Sequence, residues 1–123
     1  MDKLGRIGQI SRTVSDIAQA EAWYGSVLGL SHLYTFGRLA FFDLGGPRLM
    51  LSAEGENQPN ESIIYFQVSD IGATHKELVA RGVNFRDEPR LIHRHADGLE
   101  EWMAFFDDPD GRLLALMAQV KTG

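Results

Sequence analysis

Apolar and polar positions along the chain follow the same order twice. An apolar, strand-like run over residues 7–14 ends in Val14-Ser15-Asp16-Ile17-Ala18, and a second run over residues 62–68 ends in Val68-Ser69-Asp70-Ile71-Gly72. A repeat constrains the whole fold, because each copy forms the same supersecondary unit. The chain is therefore expected to contain two equivalent modules.

Each copy continues with the signals of a helix. Asp16 and Asp70 are placed as N-caps, because a carboxylate there accepts backbone N–H bonds of the first turn. Gly29 and Gly82 suit the left-handed position that ends a helix. Apolar spacing predicts one buried face per helix. The predicted faces are Ile17, Ala20, Tyr24, Val27 and Leu28 in the first helix, and Ile71, Thr74, Leu78 and Val79 in the second.

Short strand-like runs follow each helix, separated by glycine- and proline-containing turns. The predicted strands are Ser31–Phe36, Leu39–Leu44 and Arg48–Ser52, then Val83–Arg86, Arg90–His95, Glu101–Asp107 and Arg112–Gln119. The polar stretch over residues 53–61 is typical of a linker. The pattern predicts one α+β domain over residues 1–123, made of two tandem βαβββ modules, residues 7–52 and 62–119, that form a concave mixed sheet.

A sheet with one helix has one covered face and one open face. Two such modules side by side can line a common concavity with their open faces, which is a place to bind a small molecule. The alternative is that the two faces pack shut.

Composition removes several classes of function. The net charge is −5 and the twelve basic residues are scattered, so nothing indicates nucleic-acid binding. No apolar run approaches the roughly 20 residues of a membrane span. The chain has no cysteine, which excludes disulfides and thiolate sites. The start, residues 1–6, lacks the pattern of a signal peptide, and we expect a cytoplasmic protein.

Four segments carry a resemblance to a known family. They are Val14-Ser15-Asp16-Ile17, the helix end Trp23-Tyr24-Gly25-Ser26-Val27-Leu28-Gly29-Leu30, Glu77-Leu78-Val79-Ala80-Arg81-Gly82-Val83, and Phe105-Phe106-Asp107-Asp108-Pro109-Asp110-Gly111. Together they resemble the vicinal-oxygen-chelate superfamily, the glyoxalase, bleomycin resistance and dioxygenase family, over residues 7–119. The resemblance implies paired βαβββ modules, and it implies a homodimer.

Many members of that superfamily hold one divalent metal ion with four side chains. The resemblance places those four positions at Gln9, Met50, Ile63 and Ala115. Only Gln9 could act as a ligand, whereas such ions need imidazole or carboxylate donors. The sequence therefore predicts no metal and no other cofactor, as in the branch that binds a molecule without transforming it.

Two groups of side chains are candidates for the site. Aromatic and polar residues suited to a planar or apolar ligand are Gln9, His32, Tyr34, Phe36, Phe41, Trp102 and Phe105. His93 and His95 alternate on one strand, and with Glu100 or Glu101 they could form an acid–base pair or, together with Gln9, a non-standard metal site. The alternatives are core packing for the aromatic residues and a solvated hairpin tip for the histidines.

Three functions stay open at this point. The first is metal-free binding of a small molecule, with an aromatic one suited to the side chains. The second is a lyase or isomerase resembling lactoylglutathione lyase, or a dioxygenase, that uses a non-standard metal or acid–base site. The third is a regulatory domain with a vestigial pocket. His75, beside Lys76 and Glu77, is predicted to face solvent.

Overall fold

A computed structural model of the chain describes residues 6–54 and 62–121. The segment Met1–Gly5, used above for the signal-peptide argument, and residues 55–61 of the expected linker lie outside the described residues. The chain divides into two compact units between residues 61 and 62. Each unit holds its own mixed sheet and helical segment, which is the α+β class expected from the repeat.

The first unit is a βαβββ module. Its elements are β1 (Gln9–Thr13), α1 (Ile17–Ala22), a π-helical segment (Trp23–Val27), β2 (Ser31–Phe36), β3 (Leu39–Asp43) and β4 (Arg48–Ser52). The strand order is β1-β4-β3-β2, with β1 parallel to β4 and the other neighbours antiparallel. Helix α1 packs on β3 and β4. The fully buried side chains are Tyr24, Ala40, Phe42, Leu49 and Leu51.

The second unit repeats this topology with one strand broken in two. Its elements are β5 (Ile64–Gln67), α2 (Ile71–Ala80), β6 (Asn84–Phe85), β7 (Arg90–Arg94), β8 (Leu99–Asp107) and β9 (Leu113–Lys121). The strand order is β5-β9-β8-β6, β7 also pairs with β8, and β5 runs parallel to β9. The buried side chains include Ile64, Leu78, Ala104, Phe106, Leu114 and Leu116. Among the described residues no helix has the length and apolarity that crossing a bilayer requires.

Both predicted N-caps are confirmed. The Gln19 N–H donates to Asp16 Oδ1 at 2.9 Å, and the Ala73 N–H donates to Asp70 Oδ1 at 3.0 Å. In each case one of the otherwise unsatisfied donors of the first turn gains a charged acceptor. The equivalent aspartates therefore start equivalent helices.

The first helix differs from the continuous α-helix that the apolar spacing predicted. It is α-helical only to Ala22, and then widens into a π-helical turn in which the Leu28 N–H donates to Trp23 O at 3.0 Å. Tyr24 is nevertheless fully buried. Gly25 packs close to the Phe42 ring of the sheet, because a Cβ added to Gly25 would lie 3.5 Å from that ring. The wider turn is thus accommodated by close packing on the sheet.

Two predictions for the second helix are wrong. Val79 is 47% exposed, whereas His75 is largely buried with its ring 4.4 Å from the Phe85 ring centroid. The buried face is defined by Ile71 and Leu78, and a residue three positions before Leu78 lies on that same face. His75 therefore packs inward, and Val79 lies beside the buried stripe.

Candidate functional site

The face of the first sheet opposite α1 carries three aromatic rings. Tyr34 and Phe41 stack with centroids 4.5 Å apart, and Phe36 lies 5.8 Å from Phe41 and 6.1 Å from Tyr34. We call these three residues the ring cluster. Phe41 is buried, but Phe36 is 59% exposed and Tyr34 is 42% exposed. A planar molecule would therefore find aromatic surface accessible from solvent.

Arg48 joins the ring cluster to the first strand. Its Nη2 donates to Gln9 Oε1 at 2.6 Å and its Nη1 donates to the Tyr34 hydroxyl at 2.9 Å. The guanidinium carbon lies 5.1 Å from the Phe41 ring centroid, within the range of a cation–π contact. Four of the seven predicted ligand-binding residues thus form one connected group with Arg48, namely Gln9, Tyr34, Phe36 and Phe41.

His32 does not belong to this group. A β-bulge between His32 and Tyr34 shifts the register, so that His32 pairs with Phe42 and Tyr34 pairs with Phe41. Successive residues of β3 point to opposite faces, which puts His32 on the helix side. There its Nε2 lies 2.6 Å from the Thr35 hydroxyl, which donates to Glu21 at 3.1 Å. His32 and Glu21 also line a surface cavity of about 400 Å³.

In the second module, the three predicted catalytic candidates come together at the end of the β7–β8 hairpin. His95 Nε2 lies 2.9 Å from Glu101 Oε2, and Gln119 Nε2 donates to Glu101 Oε1 at 2.9 Å. The His93 and His95 rings meet edge to face with centroids 4.6 Å apart. The partner of Glu101 is therefore His95 rather than His93, although His93 is its neighbour in the strand register.

These contacts set the protonation of Glu101. Hydrogen bonds from His95 first and Gln119 second hold the pKa of the Glu101 carboxyl below its usual range, against a smaller opposing effect of desolvation. An ionised Glu101 favours the His95 tautomer that carries its proton on Nε2, and in that neutral tautomer Nδ1 is the acceptor. The pair therefore has the arrangement of an oriented base.

Glu100 belongs to a separate group on the opposite side of β8. It is buried, and it forms an ion pair with Arg94 while accepting from Trp102 Nε1 at 3.0 Å. The bond from Trp102 and then that from Arg94 lower the pKa of the Glu100 carboxyl. Trp102 and Phe105 are three residues apart, so the strand turns them to opposite faces and they cannot line one surface. Phe105 instead meets the Tyr65 ring at 6.0 Å.

The residues at the four positions implied for a metal do not fit one. Gln9 Oε1 already accepts from the Arg48 cation, and Gln9 Nε2 donates to Met50 Sδ at 3.7 Å. A guanidinium at this distance would repel a divalent ion. Ile63 and Ala115 have no donor atom, and Ala115 is fully buried. Within residues 6–54 and 62–121, no group of three or more histidine, aspartate or glutamate side chains is arranged to hold a metal ion.

Arg48 and Gln119 are the residues whose part sequence reasoning underestimated. In the sequence each stands at the end of a predicted strand, Arg48–Ser52 or Arg112–Gln119, and neither is among the candidate site residues. The signal for both lies in the register, because Arg48 pairs with Gln9 and Gln119 pairs with Glu101. Arg48 and Gln9 are 39 residues apart, and strand pairing across such a distance has no local signature.

Two βαβββ modules, each with a mixed sheet and one helical layer, define the glyoxalase and bleomycin-resistance class of α+β fold. Lactoylglutathione lyase from Agrobacterium tumefaciens has a similar structure, with a TM-score of 0.75, 19% identity, and coverage of 95% of this chain and 96% of that chain. A virulence protein from Salmonella typhimurium gives a TM-score of 0.75 at 24% identity, covering 97% and 100%. A glyoxalase/bleomycin resistance protein/dioxygenase from Alicyclobacillus acidocaldarius gives 0.73 at 17%, covering 96% and 94%.

The sequence leads to the same group. Residues 6–116 match the family model of the Glyoxalase/Bleomycin resistance protein/Dioxygenase superfamily. The chain belongs to this superfamily, as the four resembling segments implied.

Proposed function

We propose that the protein binds a small planar aromatic molecule with an anionic group, on the ring cluster of the first module, without a metal. The observation that carries the proposal is the stack of Tyr34, Phe41 and Phe36, of which Phe36 is 59% exposed. A ligand ring would extend this stack, and aromatic pairs contribute about 0.5–1.5 kcal/mol beyond the area that they bury. Arg48, already oriented by Gln9 and Tyr34, would receive the anionic group.

The test is calorimetric titration with 2-naphthoate, a planar aromatic carboxylate. Cyclohexanecarboxylate lacks the aromatic ring and 2-naphthalenemethanol lacks the charge. We expect 2-naphthoate to bind best, and Phe36→Ala and Arg48→Gln each to weaken it by about tenfold, equivalent to roughly 1.4 kcal/mol. Leu33→Ala is the matched control, because Leu33 is an exposed residue of the same strand. Equal affinity of both variants and wild type for 2-naphthoate would refute the site.

The metal-free part of the proposal has its own measurement. Support comes from the donor set, since Gln9 is the one side chain with a possible ligand atom among the four implied positions. Elemental analysis of protein purified without chelators should find much less than one divalent ion per chain. About one zinc, nickel, iron or manganese ion per chain would contradict it and favour the metal-dependent chemistries of the superfamily.

A second candidate function is a lyase or isomerase reaction on a small carbonyl compound. The contact between His95 and Glu101 favours it, because a carboxylate-oriented imidazole can remove a proton beside a carbonyl group. The assay is conversion of the hemithioacetal of methylglyoxal and glutathione. If the pair acts as acid and base, His95→Ala should lose about 100-fold or more in kcat, while His32→Asn in the first module should not. An equally active His95→Ala variant would remove this candidate.

We also propose that the chain forms a homodimer. The support is two edge strands whose residues are all exposed, β2 and β7. Leu91 and Ile92 in β7 are 41% and 48% exposed, and an apolar edge strand favours pairing with a second copy of itself. Light scattering after size exclusion should give twice the monomer mass, and Ile92→Glu should halve it. A monomeric wild-type protein would exclude the dimer.

A further inference from the structure

A cavity of about 270 Å³ lies beside β8 in the second module, separate from the ring cluster of the first. Its apolar lining comes from β8 and the start of β9, namely Met103, Ala104, Phe105 and Leu113. Its charged lining comes from the segment that connects β6 to β7, namely Arg86, Asp87, Glu88 and Arg90. Two positive and two negative side chains therefore stand over an apolar floor.

Half of these charges are already committed to protein partners. Arg86 donates from Nη2 to Asp107 Oδ1 at 2.7 Å and from Nε to the same carboxylate at 3.2 Å. Glu88 Oε2 lies 3.8 Å from His75 Nδ1. Arg86 is therefore held by a protein carboxylate, whereas Glu88 is 87% exposed and has one longer contact.

Asp87 and Arg90 are different. Within the described ranges 6–54 and 62–121, neither side chain has a hydrogen bond or an ion pair. Arg90 stands opposite Met103 in the pairing of β7 with β8, which places it over the apolar floor. The cavity thus presents one uncommitted carboxylate and one uncommitted guanidinium next to Met103 and Phe105.

The balance of charge selects the class of ligand. A simple anion would meet Asp87 and Glu88, and a simple cation would meet the two arginines, so each would be repelled as well as attracted. A molecule with one positive and one negative group can satisfy both uncommitted residues. The apolar floor adds a requirement for an apolar substituent.

We propose that this cavity binds a small zwitterion with an apolar substituent, the chemistry of a free aliphatic α-amino acid. Arg90 pairs with the carboxylate, which suits its planar fork of donors. Asp87 accepts from the ammonium group, and the aliphatic side chain packs on Met103 and Phe105. The proposal is independent of the proposed function, because all the lining residues belong to the second module.

The test uses L-leucine, which has no aromatic ring to bind at the ring cluster. Binding is followed by amide chemical-shift titration of the full chain. We expect shifts around residues 86–90 and 103–105, with leucinamide and N-acetyl-leucine each binding about tenfold or more weakly. The first compound lacks the carboxylate and the second lacks the ammonium group.

Matched variants separate the two contacts. Arg90→Gln should bind leucine and leucinamide equally weakly, and Asp87→Asn should bind leucine and N-acetyl-leucine equally weakly. Arg81→Gln on α2 should bind leucine as wild type does. No saturable binding of leucine by the wild-type protein, or unchanged binding by Arg90→Gln and Asp87→Asn, would overturn the proposal. A positive result here with no binding of 2-naphthoate would refute the proposed function alone.

Discussion

The two modules share a topology but present different chemistry on the sheet face opposite the helix. In the first module this face carries the ring cluster and Arg48, with contacts made mainly by aromatic surfaces. In the second module it carries His95, Glu101 and Gln119, which are joined by hydrogen bonds, together with the ring of Phe105. The first face thus presents stacked rings beside one cation, and the second presents a hydrogen-bonded polar group beside one ring.

The buried sides of the modules, in contrast, are nearly interchangeable. Phe42 pairs with Leu49 in the first sheet, and Phe106 pairs with Leu114 in the second, and all four are fully buried. The requirement of a close-packed core acts on both modules in the same way. The face without a helix is less constrained by this packing, and its side chains differ between the two modules.

The largest expected effect tests the equivalence of the two cores. Phe42→Ala and Phe106→Ala should each lower the free energy of unfolding by about 3–5 kcal/mol, because each leaves a cavity in a closed core. Urea unfolding measures the free energy of unfolding of each variant. The chain has two tryptophans, Trp23 in the first module and Trp102 in the second. In a Trp23→Phe background the fluorescence of Trp102 follows the second module, and in a Trp102→Phe background that of Trp23 follows the first. A loss confined to one variant would show that the cores are not equivalent.

The architecture was readable from the sequence because its signals are local. Asp16 and Asp70 act as caps through bonds to residues three positions on, and the strands Ser31–Phe36 and Arg48–Ser52 have the predicted bounds. The π-helical turn at Trp23–Val27 was not readable, because it depends on how Tyr24 and Gly25 pack against the sheet.

The candidate site was predicted less well, since it depends on which strand faces which. His32 was grouped with Tyr34 by alternation, and a single bulged residue moved it to the other face. Trp102 and Phe105 were grouped by residue type, although their odd spacing separates them. The cluster of His93, His95 and Glu101 was found, because a hairpin keeps its two strands close in sequence.

Gly82 at the end of α2 and Gly25 inside the π-helical turn should respond differently to alanine. Gly82 ends α2 with a φ of 91°, a conformation that costs a residue with a Cβ about 1–2 kcal/mol. Gly82→Ala should therefore lower the free energy of unfolding by that amount. Gly25→Ala in the first module should not, because its added Cβ meets Phe42 at an ordinary contact distance of 3.5 Å. Thermal unfolding compares them, and a loss of equal size in both variants would contradict the distinction.

The helix caps should give matching effects. Asp16→Ala and Asp70→Ala each remove one charged acceptor from a first turn, and each should lower the free energy of unfolding by about 1 kcal/mol. Asp16→Asn and Asp70→Asn keep the cap and serve as controls. Because α1 is short and continues into the π-helical turn, a clearly larger loss for Asp16→Ala would show that the first helix depends more on its cap than the second.

The smallest expected effect is on the free energy of unfolding at acid pH, and it involves Glu101 on the helix-free face of the second module. The pKa of Glu101 is lowered in the folded protein, so its ionised form adds stability above the unfolded-state pKa of about 4.3. That stability is lost as pH falls through the folded pKa. The difference in unfolding free energy between wild type and Glu101→Gln should accordingly shrink below about pH 4.3. Gln119→Ala should make this loss smaller and complete it at a higher pH, because one of the two bonds that lower the pKa of Glu101 is gone. A difference that stays constant down to pH 3 would mean that Glu101 is not held ionised by its neighbours.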